Sequence, residues 1–330
     1  MSAVAPTAER APAERGVRAL VRSVPQSAWP VAVFVILFLL GGLIRPALLS
    51  VDSLIGTATF AMILAVASFG QTFAVIQGAI DLSVPNTISF AGLSFLTWSG
   101  TIGPVAGFVA AVLSGVVIGV LNGLIVTKLG LTPIVTTIAM NGLLFGVVLL
   151  SFKNSELTEI PAFITAATAN KVDILGIAVP AVLLLGLVLL VMLQLVLAYT
   201  GWGRSLFVVG SAADTARLAG LPVDRIRIVG FALSGALAAL AGTVVVGFYG
   251  QALANMGDPY LLGSVAAVVV GGASIFGGRG SVVGTFGGAL VLGQVATLVD
   301  VANLGANIQQ LIYGAIVLVV VALYGRRSAA

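Results

Sequence analysis

The 330-residue chain contains no cysteine and no histidine, and only 8% of its residues are charged. The missing cysteines exclude disulfides and thiolate nucleophiles, and the missing histidines exclude imidazole bases and the usual zinc sites. Soluble domains carry about a quarter charged residues, so this composition is that of a polytopic membrane protein. The net charge of +4 and the pI of about 9.8 would also suit nucleic acid, but the charges lie between apolar runs, which argues against that partner.

A nucleotide-binding motif is also missing from the sequence. No G-x-x-x-x-G-K-[ST] segment occurs, and the glycine-rich GGRGS at 277–281 lacks the lysine and hydroxyl residue that would follow. Without paired carboxylates, histidine or cysteine, a membrane-embedded enzyme has no plausible acid, base or nucleophile set. We therefore predict a chain that is not an enzyme and binds no cofactor or metal.

Apolar residues are abundant instead, at 59% of the chain. They form about ten runs, most of them close to the length that crosses a bilayer, and backbone hydrogen bonding in lipid requires such segments to be helical. The sequence thus predicts an all-α membrane protein with about ten transmembrane helices. The predicted spans are 31–44, 54–77, 84–98, 105–127, 133–150, 177–199, 226–249, 261–276, 282–299 and 308–324.

The basic residues indicate how these spans are oriented. With ten spans and the N-terminus inside, only Arg45, Lys153 and Lys171 fall outside, which is a strong positive-inside bias. The predicted cytoplasmic residues are Arg10, Arg15, Arg18, Arg22, Lys128, Arg204, Arg217, Arg225, Arg227, Arg279, Arg326 and Arg327. Both termini are then cytoplasmic. The predicted domains are a disordered arm (1–28), a transmembrane domain (29–325, with a cytoplasmic loop at 200–227) and a basic tail (326–330).

The polar loop before the seventh span has the pattern of a short capped helix. Ser211 suits an N-cap and Asp214 completes a capping box three residues later, which predicts a helix over 212–219. Gly220 suits the left-handed position that ends a helix, and Pro222 can open the next one. A helix of small residues on a membrane loop suggests a docking surface, and an ordinary cytoplasmic loop is the alternative.

Glycine, with 41 residues, is concentrated within the spans. Gly115, Gly119 and Gly123 are four residues apart, and Gly142 and Gly146 repeat the spacing. Glycines at this spacing lie on one helix face and allow another helix to approach closely. The pattern predicts tight helix packing.

The polar side chains within the spans are amides and hydroxyls, and no charged residue lies mid-span. This set favours a neutral polyhydroxy solute over an ion-coupled carrier, although interhelical hydrogen bonds are the alternative for each side chain. The candidates for lining a pathway are Thr136, Thr137, Asn141, Asn307, Gln309 and Gln310.

Four separated blocks resemble one family. The segment 70–92, GQTFAVIQGAIDLSVPNTISFAG, is similar to the G-x-x-x-V-I-x-x-G-I-D-L-S-V-G signature of permease subunits of ribose-type ABC sugar importers, with Pro85 in place of the usual glycine. Blocks at 119–131, 210–221 and 266–288 agree in order and spacing. The resemblance covers residues from about 30 to 325.

The resemblance implies a fold similar to the vitamin B12-type importers, in the bacterial inner membrane, and several partners. These are a cytoplasmic ATP-binding subunit, a periplasmic sugar-binding protein and a second permease, identical or not, besides membrane lipid. The ATPase would be coupled through Ser211, Asp214, Ala216, Arg217 and Gly220, so a bulky residue at Ala216 or Gly220 is expected to uncouple transport. Asp81, Leu82 and Ser83 would shape a cytoplasmic gate, and the fifth and tenth spans would border the pathway.

The solute stays open at this point, with pentoses, hexoses, polyols, signalling sugars and nucleosides all compatible with the resemblance. A stand-alone secondary transporter or facilitator for a small neutral solute is the other function class. Glycine-rich helices would serve it equally well, and its binding site would also lie near the middle of the membrane. The absence of intramembrane carboxylates counts against ion coupling but not against passive facilitation.

Overall fold

A computed structural model describes residues 29–151 and 159–328 of the chain. The helices are α1 (Trp29–Ile44), α2 (Val51–Ile76), α3 (Val84–Ile102), α4 (Pro104–Lys128), α5 (Pro133–Ser151), α6 (Ala162–Ala169), α7 (Ala181–Tyr199), α8 (Gly201–Ser211), α9 (Ala213–Leu218), α10 (Val223–Tyr249), α11 (Tyr260–Val270), α12 (Val282–Val301) and α13 (Gly305–Ser328). A 3-10 turn, Pro46–Leu49, follows α1, and an antiparallel hairpin of β1 (Lys171–Ile174) and β2 (Ile177–Pro180) precedes α7. The predicted arm, 1–28, and the last two residues of the predicted tail lie outside the described residues.

The prediction of about ten transmembrane helices is wrong. Seven helices of the described residues are long and apolar enough to cross a membrane: α2, α4, α5, α7, α10, α12 and α13. Of the other predicted spans, α1 has 16 residues and α11 has 11, so at about 1.5 Å per residue neither covers a core of about 30 Å. The third, α3, is long enough but too polar. The similarity to the vitamin B12-type fold, which was tied to ten helices, is not supported. The prediction of a helical membrane protein is confirmed, with one short hairpin besides the helices of the described residues.

The central element of the bundle is α2. Its N-cap is Ser50, whose Oγ accepts a hydrogen bond from the Ser53 amide at 3.2 Å. Every residue from Ala61 to Ile76 is buried, as expected for a helix that is apolar on all sides and enclosed by others. The neighbouring helices α10, α11 and α12 pack around it.

Glycines bring α4 and α10 into backbone contact, which confirms the predicted close packing. A side chain at Gly115 would collide with the Gly235 carbonyl, and one at Gly119 with the Phe231 carbonyl. By contrast, Gly142 and Gly146 on α5 face open space. That second glycine repeat therefore packs against no other described segment.

Two ends of the bundle can be distinguished by their chemistry. At one end, Lys128 and Arg217 both bind Asp224 at the start of α10; we call this the basic end. At the opposite end lie the β1–β2 hairpin and the loop 251–259 that follows α10; we call this the hairpin end.

The terminal helices are arranged relative to α12, which starts at the basic end. Pro30 lies beside Gly287, and Gly41 lies beside Leu298, so α1 and α12 run in the same direction. The next helix, α13, is antiparallel to α12, because the Tyr313 hydroxyl reaches the Leu292 carbonyl. As a result, α1 starts at the basic end and α13 runs towards it.

Candidate functional site

The first candidate site is the surface of the basic end, formed by α8, α9 and the start of α10. Thr200 caps α8, with its Oγ1 accepting a hydrogen bond from the Gly203 amide at 3.0 Å. The predicted capping box is wrong. Ser211 is the last residue of α8 and donates its hydroxyl to the Phe207 carbonyl at 2.8 Å, and Ala212 precedes α9 without a side-chain cap. A serine in the last turn of one helix bonds back to its own helix, which a local sequence pattern does not reveal.

The short helix α9 is fixed by the backbone turn at its C-terminal end and by a buried alanine on the side that faces the bundle. Gly220 has φ +82°, the left-handed conformation predicted for it. The Leu221 amide donates to the Ala216 carbonyl at 3.0 Å, which completes a Schellman arrangement. Ala216 is fully buried, so it anchors α9 instead of presenting a docking surface. Leu218 is 90% exposed and is the large apolar side chain that α9 presents outwards.

Ion pairs join α9 to two long helices. Asp224 accepts from Lys128 Nζ at 2.8 Å and from Arg217 at 2.9 Å. Asp214 lies 4.0 Å from Arg217 and is otherwise exposed. Exposed pairs contribute little individually, but a shared carboxylate fixes the relative positions of α4, α9 and α10.

The end of α8 also reaches the centre of the bundle. A side chain at Gly210 would collide with the Ile76 carbonyl at the end of α2, and the Gly278 amide donates to that carbonyl at 2.8 Å. The ring of Trp202 stacks on Phe73 of α2 at 5.7 Å. Displacement of the α8–α9 segment would therefore directly displace α2 and the 271–281 loop.

The second candidate site is the turn at 77–83, which contains the predicted gate motif. Asp81 is 2% exposed and accepts three hydrogen bonds: from the Ser83 amide at 3.0 Å, the Ser83 hydroxyl at 2.6 Å and the Ser234 hydroxyl at 2.7 Å. Its burial raises the pKa of the Asp81 carboxyl above the ordinary value, and the hydrogen bonds from Ser83 and Ser234 partly oppose that rise.

Side chains of neighbouring helices form hydrogen bonds with the other polar groups of this turn. The Gln71 amide, in the orientation that satisfies both groups, pairs with the Asp81 backbone at 3.0 and 3.2 Å, and Asn122 of α4 donates to the Ser83 hydroxyl at 2.9 Å. The Leu82 amide donates to Thr137 Oγ1 at 3.0 Å. The turn thus connects α2, α4, α5 and α10.

Half of the predicted pathway residues are on α5, and they lie against this turn and α3. Thr136 and Thr137 are buried. Asn141 is partly exposed and pairs with Asn86, whose Nδ2 donates to the Asn141 carbonyl at 3.0 Å. The structure therefore brings the gate motif and the α5 candidates together.

The third candidate site is a cavity of about 330 Å³ at the hairpin end. It lies between α2, α10, α11, α13 and the loop 251–259, and Gln309 lines it, whereas Asn307 and Gln310 do not. The lining residues are Phe60, Leu64, Val245, Tyr249, Gln251, Leu253, Asn255, Met256, Pro259, Tyr260, Gln309 and Tyr313. Gln309 Nε2 donates to the Tyr313 hydroxyl at 2.9 Å, and that hydroxyl donates to the Leu292 carbonyl at 2.9 Å.

Comparison with known proteins identifies the family. Residues 53–321 match the family described as the permease component of branched-chain amino acid transport systems. The chain belongs to this permease family. The chain is 30% identical over 301 residues to the autoinducer 2 import system permease protein LsrD of Photorhabdus laumondii, with 89% of each chain covered. It is 29% identical over 308 residues to the ribose import permease protein RbsC of Bacillus subtilis, covering 93% of this chain and 95% of the relative.

A third relative of the permease, the autoinducer 2 import system permease protein LsrC of Shigella flexneri, is 33% identical over 294 residues, covering 88% and 84% of the two chains. These findings confirm the resemblance to permease subunits of ribose-type ABC sugar importers. They also place the permease among multi-pass membrane proteins of binding-protein-dependent import systems.

Sequence reasoning did not identify the partners of Asp81 in the permease. Ser234 is 153 residues away in the chain, and Asn122, which binds Ser83, is 39 residues away from it. Helix contacts between such distant segments leave no spacing pattern in a single sequence. The signal that was available is indirect: Ser234 is a small hydroxyl residue within an otherwise apolar helix.

Replacing Asp81 of the permease tests this turn. We expect Asp81→Ala to lower the free energy of unfolding by about 3 kcal/mol, because three donors lose their buried acceptor. Asp81→Asn should lose less, since its amide oxygen still accepts and the Ser234 hydroxyl can rotate to accept from the new NH₂ group. Thermal unfolding of the purified variants in detergent measures both, and equal stability of Asp81→Ala and the unmodified permease would contradict the assignment.

Proposed function

We propose that this permease forms the translocation pathway for a neutral monosaccharide or a related polyol in an ATP-driven importer. The observation that carries the proposal is the basic end: an apolar side chain, Leu218, exposed on a rigid helix that is connected by Asp224 and Gly210 to the long helices. Such a surface suits a separate ATP-hydrolysing subunit. The names of the relatives, for import of ribose and autoinducer 2, support the solute class.

The proposed orientation has the basic end and both termini in the cytoplasm of a bacterial inner membrane. The cationic residues of the basic end support it, because such residues are retained on the cytoplasmic side. The directions of α1 and α13 support it independently of the number of spans.

The remaining partners are assigned to other surfaces. A periplasmic sugar-binding protein would dock at the hairpin end, where Leu175 and Gly176 form the tip of the hairpin. A second permease, identical to this one or a close relative, would cover α5 and α13, two of the least enclosed long helices. The open face at Gly142 and Gly146 supports that assignment, because glycines allow a helix of another subunit to approach closely.

The proposed mechanism is alternating access driven by the ATPase. Closure of the ATPase dimer moves α9, and Asp224 and the contact of Gly210 with Ile76 pass the movement to α10 and α2. The Asp81 turn connects these helices to α5 through Leu82 and Thr137, so the cytoplasmic gate responds to the ATPase. ATP hydrolysis resets the two permeases.

Purification from native membranes in a mild detergent tests the proposal. We expect this chain to carry with it a P-loop ATPase in about equal amount, with ATP hydrolysis stimulated by a periplasmic sugar-binding protein. The control is the same purification with the Leu218→Asp chain. Recovery of the unmodified chain alone, with flux into liposomes that needs no ATP, would contradict the proposal and identify a facilitator.

A further inference from the structure

The cavity at the hairpin end has the features of a ligand site. Of the predicted pathway residues, only one lines it. Its volume of about 330 Å³ is near the lower limit of small-molecule pockets, which is about 300 Å³. Only Gln309 of its lining was predicted from the sequence. The loop 251–259 and the start of α11 supply most of the other polar groups.

Several polar groups in the wall have no partner among the described residues. Tyr260 is 6% exposed, yet its hydroxyl makes no hydrogen bond to that part of the chain. Gln251 and Asn255 are exposed, and their side-chain amides make no hydrogen bond to the described residues. Gln309 commits its Nε2 to Tyr313, which leaves its Oε1 free to accept. These groups offer both donors and acceptors, and Tyr260, whose side chain is otherwise buried, has its hydroxyl available to a ligand in the cavity.

The rest of the wall is apolar and aromatic, and none of the lining residues is charged. A zwitterionic amino acid would leave its ammonium and carboxylate groups without a charged partner there, which is unfavourable in a largely apolar pocket. A sugar ring presents C–H groups on its faces and hydroxyls at its edge. Tyr249, Tyr260 and Tyr313 suit the faces, and the amides suit the hydroxyls.

The wall is also held in place before any ligand arrives. The hydrogen bonds from Gln309 to Tyr313 and from Tyr313 to the Leu292 carbonyl connect α13 to α12. Gly263 on α11 lies against the Tyr313 ring. A preorganised wall reduces the ordering that binding requires.

We propose that this cavity is a binding site for one neutral monosaccharide on the outward-facing side of each permease, with Tyr260, Gln251 and Gln309 as hydrogen-bonding residues. The inference rests on the proposed function and adds the site and the exclusion of charged solutes. It places the first contact with the solute within one subunit.

The absence of cysteine from the chain gives a direct test by chemical labelling. Asn255→Cys places a thiol in the cavity, and Ala302→Cys places one at the hairpin end outside it, on an exposed position after α12. Each variant is reconstituted with its ATPase and binding protein and labelled with a small uncharged methanethiosulfonate reagent. The probes are D-ribose, D-xylose and D-glucose, with D-gluconate and leucine as charged solutes and a fatty acid to represent lipid.

The imported monosaccharide should slow labelling of Asn255→Cys about tenfold at ten times its half-saturating concentration, as expected from simple occupancy. It should leave labelling of Ala302→Cys unchanged, and D-gluconate and leucine should protect neither position. Introducing Tyr260→Phe beside Asn255→Cys should raise the half-protecting concentration about threefold to tenfold, because one hydrogen bond is lost and the ring remains.

The contrary outcomes separate the two proposals. If a monosaccharide is imported but does not protect Asn255→Cys, the cavity is not its site and the proposed function stands. If leucine is imported and none of the monosaccharides is, the proposed solute class fails and the site fails with it. Protection by a fatty acid but not by the imported sugar would assign the cavity to lipid and overturn the inference.

Discussion

Gly119→Ala should destabilise the permease by more than about 3 kcal/mol. The added methyl group would collide with the Phe231 carbonyl, and neither backbone can move without separating α4 from α10. Overpacking typically costs about 1–3 kcal/mol when side chains can adjust, and here the obstacle is backbone. Thermal unfolding of the purified chain in detergent, with the yield of folded protein as a second readout, measures the loss.

The matched control is the same substitution where the structure leaves room. Gly142 lies within α5 and has nothing within 4 Å of the position of an added methyl group. Gly142→Ala should therefore leave the isolated chain as stable as before, or more stable by up to about 1 kcal/mol from helix propensity. Equal losses for the two variants would contradict the described packing of α4 on α10.

Leu218→Asp should abolish ATP-driven uptake and release the ATPase. Leu218 is 90% exposed at the basic end, so a charge there does not disturb the core of the isolated chain. At the centre of a docked surface it would remove apolar contact and bury an unpaired carboxylate, and truncating or charging such a residue costs about 2 kcal/mol or more. Co-purification of the ATPase with the variant, together with uptake, measures the loss.

Leu175→Asp is the matched control for this variant. Leu175 is 98% exposed at the tip of the hairpin, at the opposite end, and its φ of 56° is a backbone conformation that aspartate tolerates better than leucine. This variant should keep its ATPase. Loss of the ATPase from both variants, or from neither, would contradict docking at α9.

The elements that the sequence predicted correctly are those with local causes. The long apolar runs are helices, and Gly220 ends α9 in the left-handed region. The spacing of Gly115, Gly119 and Gly123 predicted a close helix contact, which is the contact of α4 with α10. Each of these depends on residues within a few turns of one another. The family signature at 70–92 likewise contains the Asp81 turn.

The features that the sequence did not predict depend on contacts between distant segments or on competition between two local hydrogen bonds. Ser211 could cap α9 or bond back within α8, and the second alternative is observed. Hydropathy did not separate helices that cross a bilayer from α1 and α11, which are too short. The cavity combines four helices and a loop, so only Gln309 of its polar lining was singled out.

The contact of α4 with α10 has a mechanical consequence. The Gly235 carbonyl occupies the space that a side chain at Gly115 would need, and the Gly115 carbonyl does the same at Gly235. The two helices are therefore interlocked at these glycines. Sliding by one residue would drive carbonyl groups against the side chains that flank each glycine. The pair therefore moves as one rigid unit, and helices that shift relative to it during a transport cycle are those with free faces, such as α5.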